Sequence, residues 1–162
     1  MKIAILSLIL ILTTGLVFGQ HSNHKNHENM SGSPDTEAVK EVLISYKNAL
    51  ESLDVSGTQK LFAENAAIFE NGKYEGTYQD YLDHHIEPEL GHFKEFTFSD
   101  YNVTIRMEGD IAVAYETYNY KIVTAGDESR TIERQGVATS VLKKINDNWK
   151  IIQNHGSSRA IQ

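Results

Sequence analysis

Residues 130–157 leave room for little except a β-hairpin. Gly136-Val-Ala-Thr-Ser-Val-Leu-Lys-Lys-Ile145 is a run of β-branched and aliphatic residues. Asn146-Asp147-Asn148 supplies turn chemistry, and Trp149-Lys-Ile-Ile-Gln-Asn-His155 runs back. Two more strand patterns precede it. Phe93 to Met107 carries Phe96 and Phe98 on one face and Tyr101, Val103 and Ile105 on the other, which predicts a bulge or strong bend between them. Ile111 to Thr124 sets Ala112, Ala114, Tyr118, Tyr120 and Ile122 on one side and Ile111, Val113, Tyr115 and Val123 on the other. Glu108-Gly109-Asp110 and Ala125 to Glu128 turn the chain. Phe93 to His155 is therefore a four-strand antiparallel meander. Its apolar residues fall on both faces, so one face needs helices and the other a contact of its own, expected from a second copy of the chain.

The helices must come from upstream. Val39, Val42, Leu43, Tyr46, Leu50 and Leu53 recur at helical spacing, predicting a helix from Asp35 or Thr36 to about Leu53, with Thr36 as N-cap. A short second helix is expected over residues 57–62 and a strand over residues 66–70. Asn71-Gly72 marks a hairpin turn into Lys73-Tyr-Glu75. Thr77 and Asp80 fit a capping box for a third helix carrying Tyr78, Tyr81, Leu82, His85 and Ile86, which ends between Pro88 and Gly91.

The N-terminal residues follow other rules. Lys2, the apolar run Ile3 to Leu12, and Val17 and Gly19 at the −3 and −1 places predict a signal peptide over residues 1–19. The protein is then periplasmic or secreted, with no membrane attachment once the leader is cleaved. Residues 20–35 form a polar tail expected to be disordered, with His21, His24 and His27 at every third position. Three imidazoles on a flexible chain suit a divalent metal such as zinc or copper, and equally suit a solvated linker that binds nothing. The remaining domain, residues 36–158, is large enough for a core without disulfides, and the chain has no cysteine. Fifteen Lys and Arg against twenty-two Asp and Glu give a net charge of −7 and no basic stripe, which speaks against nucleic acid as a partner.

Helices, a short strand and a four-strand meander, in that order, resemble the NTF2-like superfamily. The chain is similar to its exported SnoaL-like or DUF4440-type members, also described as ketosteroid-isomerase-like. The resemblance runs from Val39 to Ser158. It is carried by Leu61-Phe-Ala-Glu-Asn-Ala-Ala-Ile-Phe-Glu70, by Gly76 before the third helix, and by the two strands of the closing hairpin. It implies an α+β fold: a cone-shaped barrel with three N-terminal helices packed on a curved, mostly antiparallel sheet. It also implies a pocket for a small-molecule ligand between helices and sheet, and a homodimer through the sheet.

Candidate chemistry centres on Glu70. It shares a strand face with Ala66 and Ile68, and a carboxylate inside an apolar cone can shuttle a proton beside a carbonyl. The same residue could instead sit on the rim, paired with Lys73. The resemblance places Glu70 at the catalytic carboxylate of the ketosteroid isomerases and Tyr46 at their phenol donor. Their second oxyanion donor, a protonated aspartate, is matched by Ser140, a weaker donor. This implies an isomerase or lyase as one reading and a binding domain without turnover as the other. His85 on the third helix, His155 on the face of Trp149 and Ile151, and Tyr118 and Trp149 themselves complete a ligand-binding set. His85 and Glu89 lie one turn apart, which also suits two ligands on one ion, although no H-E-x-x-H pattern exists. No other cofactor is expected. Arg130, Glu133 and Arg134 form a charge cluster; an arginine reaching the pocket would favour a carboxylate ligand.

Overall fold

The computed structural model describes residues 32–161; the expected leader and the tract of His21, His24 and His27 lie outside the described residues. The first helix, α1, spans Pro34–Glu51. Ser33 rather than Thr36 caps it, its Oγ accepting the Thr36 N–H at 3.1 Å. Pro34 takes the first position, where its missing N–H costs nothing. Val39, Leu43 and Leu50 are buried and Val42, Tyr46 and Leu53 partly so, which is the stripe the spacing predicts.

The second helix is only a 3₁₀ turn, Thr58–Leu61. The third helical stretch is broken: α2 (Tyr78–Tyr81), a π-helical turn (Leu82–Ile86) and α3 (Glu87–Leu90). Its capping box is reciprocal, Thr77 N donating to Asp80 Oδ2 at 2.9 Å and Asp80 N to Thr77 Oγ1 at 3.2 Å. No helix among the described residues is long and apolar enough to cross a membrane.

The chain has six strands among the described residues, two before α2 and four after α3: β1 (Phe62–Glu70), β2 (Lys73–Thr77), β3 (Phe93–Glu108), β4 (Ile111–Thr124), β5 (Thr131–Ile145) and β6 (Asn148–Ala160). They form one sheet in the order β2-β1-β6-β5-β4-β3, in which only the β1–β6 pair is parallel. The fold is α+β, as expected, but the sheet is curved and open: β2 and β3 are edges and do not pair, so the barrel is not closed. α1 crosses its concave side, and Glu51 Oε1 accepts the Phe98 N–H of β3 at 2.9 Å.

Two irregularities set which side chains face inward. In β3 the register shifts between Ser99 and Asn102, with Asp100 at φ 52°. The extra residue resets the alternation, so Tyr101, Val103 and Ile105 join Phe96 and Phe98 on the concave side instead of opposing them. In β6 the partners jump from Ile151 to Gln153, leaving Ile152 as the extra residue. After it Asn154, Gly156 and Ser158 face inward and His155 faces out. The closing turn carries Asn146 at φ 48° and Asp147 at φ 61°, the paired positive angles of a two-residue hairpin that Asn and Asp tolerate. The convex face exposes Tyr115 and Val137.

Candidate active site

The aromatic residues of β3 form one wall of the concave side, and three further strands bring polar groups to it. β4 contributes Glu116, Tyr118 and Tyr120, β5 contributes Ala138 and Ser140, and β6 contributes Asn154, Gly156 and Ser158. Between them and α1 lie two adjoining hollows. The deeper, about 70 Å³, is lined by Tyr46, Lys47, Tyr101, Glu116, Tyr118, Ser140 and Asn154 among others. The wider, about 140 Å³, lies among Glu70, Ile86, Glu89, Phe93, Phe96, Tyr118, Tyr120 and Ser158. Leu50, Phe98, Tyr118, Asn154 and Gly156 border both. Tyr118 fits this position because its ring lies against the bare Cα of Gly136, its partner across the ladder, where any Cβ would collide with the ring.

Glu70 ends β1 at the wider hollow. Its Oε2 accepts the Tyr81 hydroxyl at 2.7 Å and lies 3.2 Å from His85 Nε2. The same His85 nitrogen is 3.6 Å from Glu89 Oε1, and the Tyr81 and His85 rings stack at 4.8 Å. Glu70 Oε1 has only a 3.3 Å bond from Asn71 Nδ2. Lys73 pairs with Glu75 instead, at 2.8 Å. His85 is presented by the π turn, a local widening of the helix that recurs where side chains must be aimed at a site. Burial pushes the Tyr81 hydroxyl well above the usual phenol range, and the neighbouring Tyr46 and the Glu70 charge add to it. It stays a proton donor to Glu70.

The second carboxyl is Glu116, buried on the wall of the deeper hollow. Tyr101 donates to its Oε2 at 2.7 Å and Ser140 to its Oε1 at 3.1 Å; Ser140 in turn accepts from Asn154 Nδ2 at 2.9 Å. Burial raises the Glu116 carboxyl above its ordinary value, and the two hydroxyls pull it back only in part.

The expected residues divide as follows. Tyr46 opens onto the deeper hollow and Glu70 onto the wider one. The Tyr46 hydroxyl is raised well above the phenol range, first by burial, then by Tyr78 and by the Glu70 charge. Tyr118 borders both hollows, and its hydroxyl has no hydrogen-bond partner among the described residues. Burial, followed by the charge of Glu116, raises it as well. Ser140 lies on the deeper wall, but its proton is committed to Glu116. His85 stands behind Glu70, supporting it.

Two expectations are corrected. His155 does not share the face of Trp149 and Ile151: the extra residue at 152 turns it to the convex side, where it is exposed and meets the Phe69 ring at 6.2 Å. Trp149 lines neither hollow; its Nε1 donates to Asp35 at 2.9 Å, tying the start of α1 to the closing hairpin. Among the described residues no group of three or more His, Asp or Glu is arranged to hold a metal ion.

Tyr81, Glu116 and Asn154 were not singled out from the sequence. Glu116 had a signal: it falls between Ala114 and Tyr118 on the inward side of β4, one charge in an apolar row.

A SnoaL-like domain profile matches residues 39–161, and the chain belongs to that family. No curated protein matches it. Among solved structures, an NTF2-like superfamily protein from Salmonella enterica is 20% identical, covers 79% of this chain and 95% of its own, and superposes with a TM-score of 0.68. A candidate ketosteroid isomerase from Shewanella frigidimarina is 26% identical over 74% of this chain and 94% of its own, with a TM-score of 0.61. A hexachlorocyclohexane dehydrochlorinase from Novosphingobium barchaimii is 11% identical over 79% of this chain and 88% of its own, at 0.66. The first and third likenesses speak for the fold alone.

Proposed function

We propose that the protein binds a small carbonyl compound with an apolar body between α1 and the sheet and moves a proton beside its carbonyl, as an isomerase or lyase does. One observation carries this reading. A single Glu70 oxygen is held by both Tyr81 and His85 while the other keeps only one long bond, which fixes the carboxylate's orientation and leaves one oxygen open to a ligand proton. The aromatic wall of Phe93, Phe96 and Phe98 supplies apolar contact for the ligand. The unengaged Tyr118 hydroxyl is the donor best placed for a developing enolate, with Tyr46 next to it in the deeper hollow. The similarity to a candidate ketosteroid isomerase points the same way. The test is hydrogen–deuterium exchange at the α-carbon of butyrophenone in D₂O, followed by NMR. Exchange about 10²-fold over buffer is expected, the low end of what a positioned base supplies. Butyrophenone that binds without exchange leaves the domain a binder only, the second reading of the incomplete donor set around Ser140.

Export and self-association belong to the same proposal. Residues 1–19 act as a cleaved leader, and two copies pair through the convex face, where Tyr115 is 45% and Val137 49% exposed. Val137→Lys is expected to convert a dimer to a monomer in light scattering. A wild-type monomer at micromolar concentration overturns the pairing.

A further inference from the structure

We propose that the wider hollow selects ligands carrying a carboxylate, and that Arg134 is the residue that seats it. This rests on the binding reading above and adds the substrate class: an apolar or aromatic carbonyl compound with an acid group a few carbons from the reacting carbon.

Arg134 is on the inward side of β5. It lies on the alternation of Gly136, Ala138, Ser140 and Leu142, all buried, and is itself half-buried. Its Nε donates to Ser158 Oγ at 2.9 Å and its Nη2 to Ser158 O at 3.0 Å. The Tyr120 hydroxyl meets the same Ser158 Oγ at 3.0 Å. Arg134 does not itself line the wider hollow, but Ser158 and Tyr120 do, so the guanidinium stands one side chain beyond its edge, held by a residue of the wall. A guanidinium has five N–H donors. Two are used on Ser158, and the others meet no acceptor among the described residues. No carboxylate lies within ion-pair distance of Arg134 among the described residues either. Lys47, the cation that lines the deeper hollow, is paired with Glu51 at 2.6 Å. A held, half-buried, uncompensated guanidinium is the arrangement that recognises a planar anion.

The acidic groups decide where that anion can go. Glu70 and Glu89 line the same hollow and share His85, so an incoming carboxylate is repelled from their end. Ser158 is two residues beyond Gly156, the ladder partner of Glu70, which places the two backbones about 8 Å apart at ordinary strand spacings. A ligand carboxylate on Arg134 is therefore separated by a short carbon chain from the atom presented to Glu70. The aromatic body then lies against Phe96 and Tyr120. A single guanidinium facing two acids suits a monoanion better than a phosphate dianion.

The experiment compares 4-oxo-4-phenylbutanoate with butyrophenone, which has the same aryl ketone and chain without the acid. Both are titrated by calorimetry into the full-length protein at one ionic strength. The acid is expected to bind at least about tenfold tighter, the usual worth of a charge-assisted pair. Arg134→Gln is expected to remove that preference, and Arg134→Lys to reduce it. Arg130→Gln, an exposed arginine off the hollow, is expected to keep it. Butyrophenone titrated into each variant reports whether the hollow is still formed. Equal affinity of the wild type for both compounds, or a preference that survives Arg134→Gln, overturns the assignment. Binding of neither compound removes the aryl-carbonyl reading itself, whereas tight butyrophenone binding with no acid preference removes only the role of Arg134.

Discussion

Glu70→Gln is expected to lower α-proton exchange on a bound aryl ketone by about 10²–10⁴-fold, the range for removing a positioned general base. The amide keeps the shape of the carboxyl and its oxygen can still accept from Tyr81, now 2.7 Å away, but it cannot carry a proton. Melting should be unchanged or higher, because the substitution removes one of two carboxylates sharing His85. A loss of activity through misfolding would lower the melting temperature together with the rate, so the pair of measurements separates the two. A further arm uses Glu70→Ala with added formate: a small carboxylate entering the vacated volume should restore part of the exchange. Full activity in Glu70→Gln would move the base elsewhere, to Glu89 in the wider hollow or Glu116 in the deeper one.

The fold was legible where local chemistry decides it. Asn146 and Asp147 adopt the paired positive angles that their place between two apolar runs predicts, and Thr77 and Asp80 cap each other. The change of face around Phe98 and Tyr101 signalled a bulge, and the bulge at Asp100 is what gathers both groups on one side. The second bulge left no such trace. Ile151 and Ile152 are both apolar, so the alternation can restart after either, and His155 lands on the opposite face from the one the count predicts. Glu116 is the converse case: the alternation of Ala114 and Tyr118 places a charge on the inward face, but the Tyr101 and Ser140 hydroxyls that receive it come from other strands. The Tyr81–Glu70 bond depends on how the β1–β2 hairpin folds back beneath α2, and no local pattern encodes a contact of that kind.

Glu116 supplies the other large effect, and its sign depends on pH. Burial raises its carboxyl above the ordinary value near 4.5, so the folded protein holds that proton more tightly than the unfolded chain does. Between the two values the folded state binds more protons, and stability therefore falls as pH rises through the raised value. Above it the full cost of the buried charge is present; below the ordinary carboxyl range it is absent. Glu116→Gln removes that cost while keeping an acceptor for one of the two hydroxyls, so it should raise the melting temperature at pH 8 and change it little at pH 4. Glu116→Ala should lower the melting temperature at both pH values. It leaves the Tyr101 and Ser140 hydroxyls without their acceptor and opens a void, a loss of about 3 kcal/mol for stranded polar groups. Chemical denaturation of the three proteins at both pH values checks this. If Gln and Ala destabilise alike at pH 8, the ionised carboxylate is the stabilising form, and the hydroxyls of Tyr101 and Ser140 outweigh its burial.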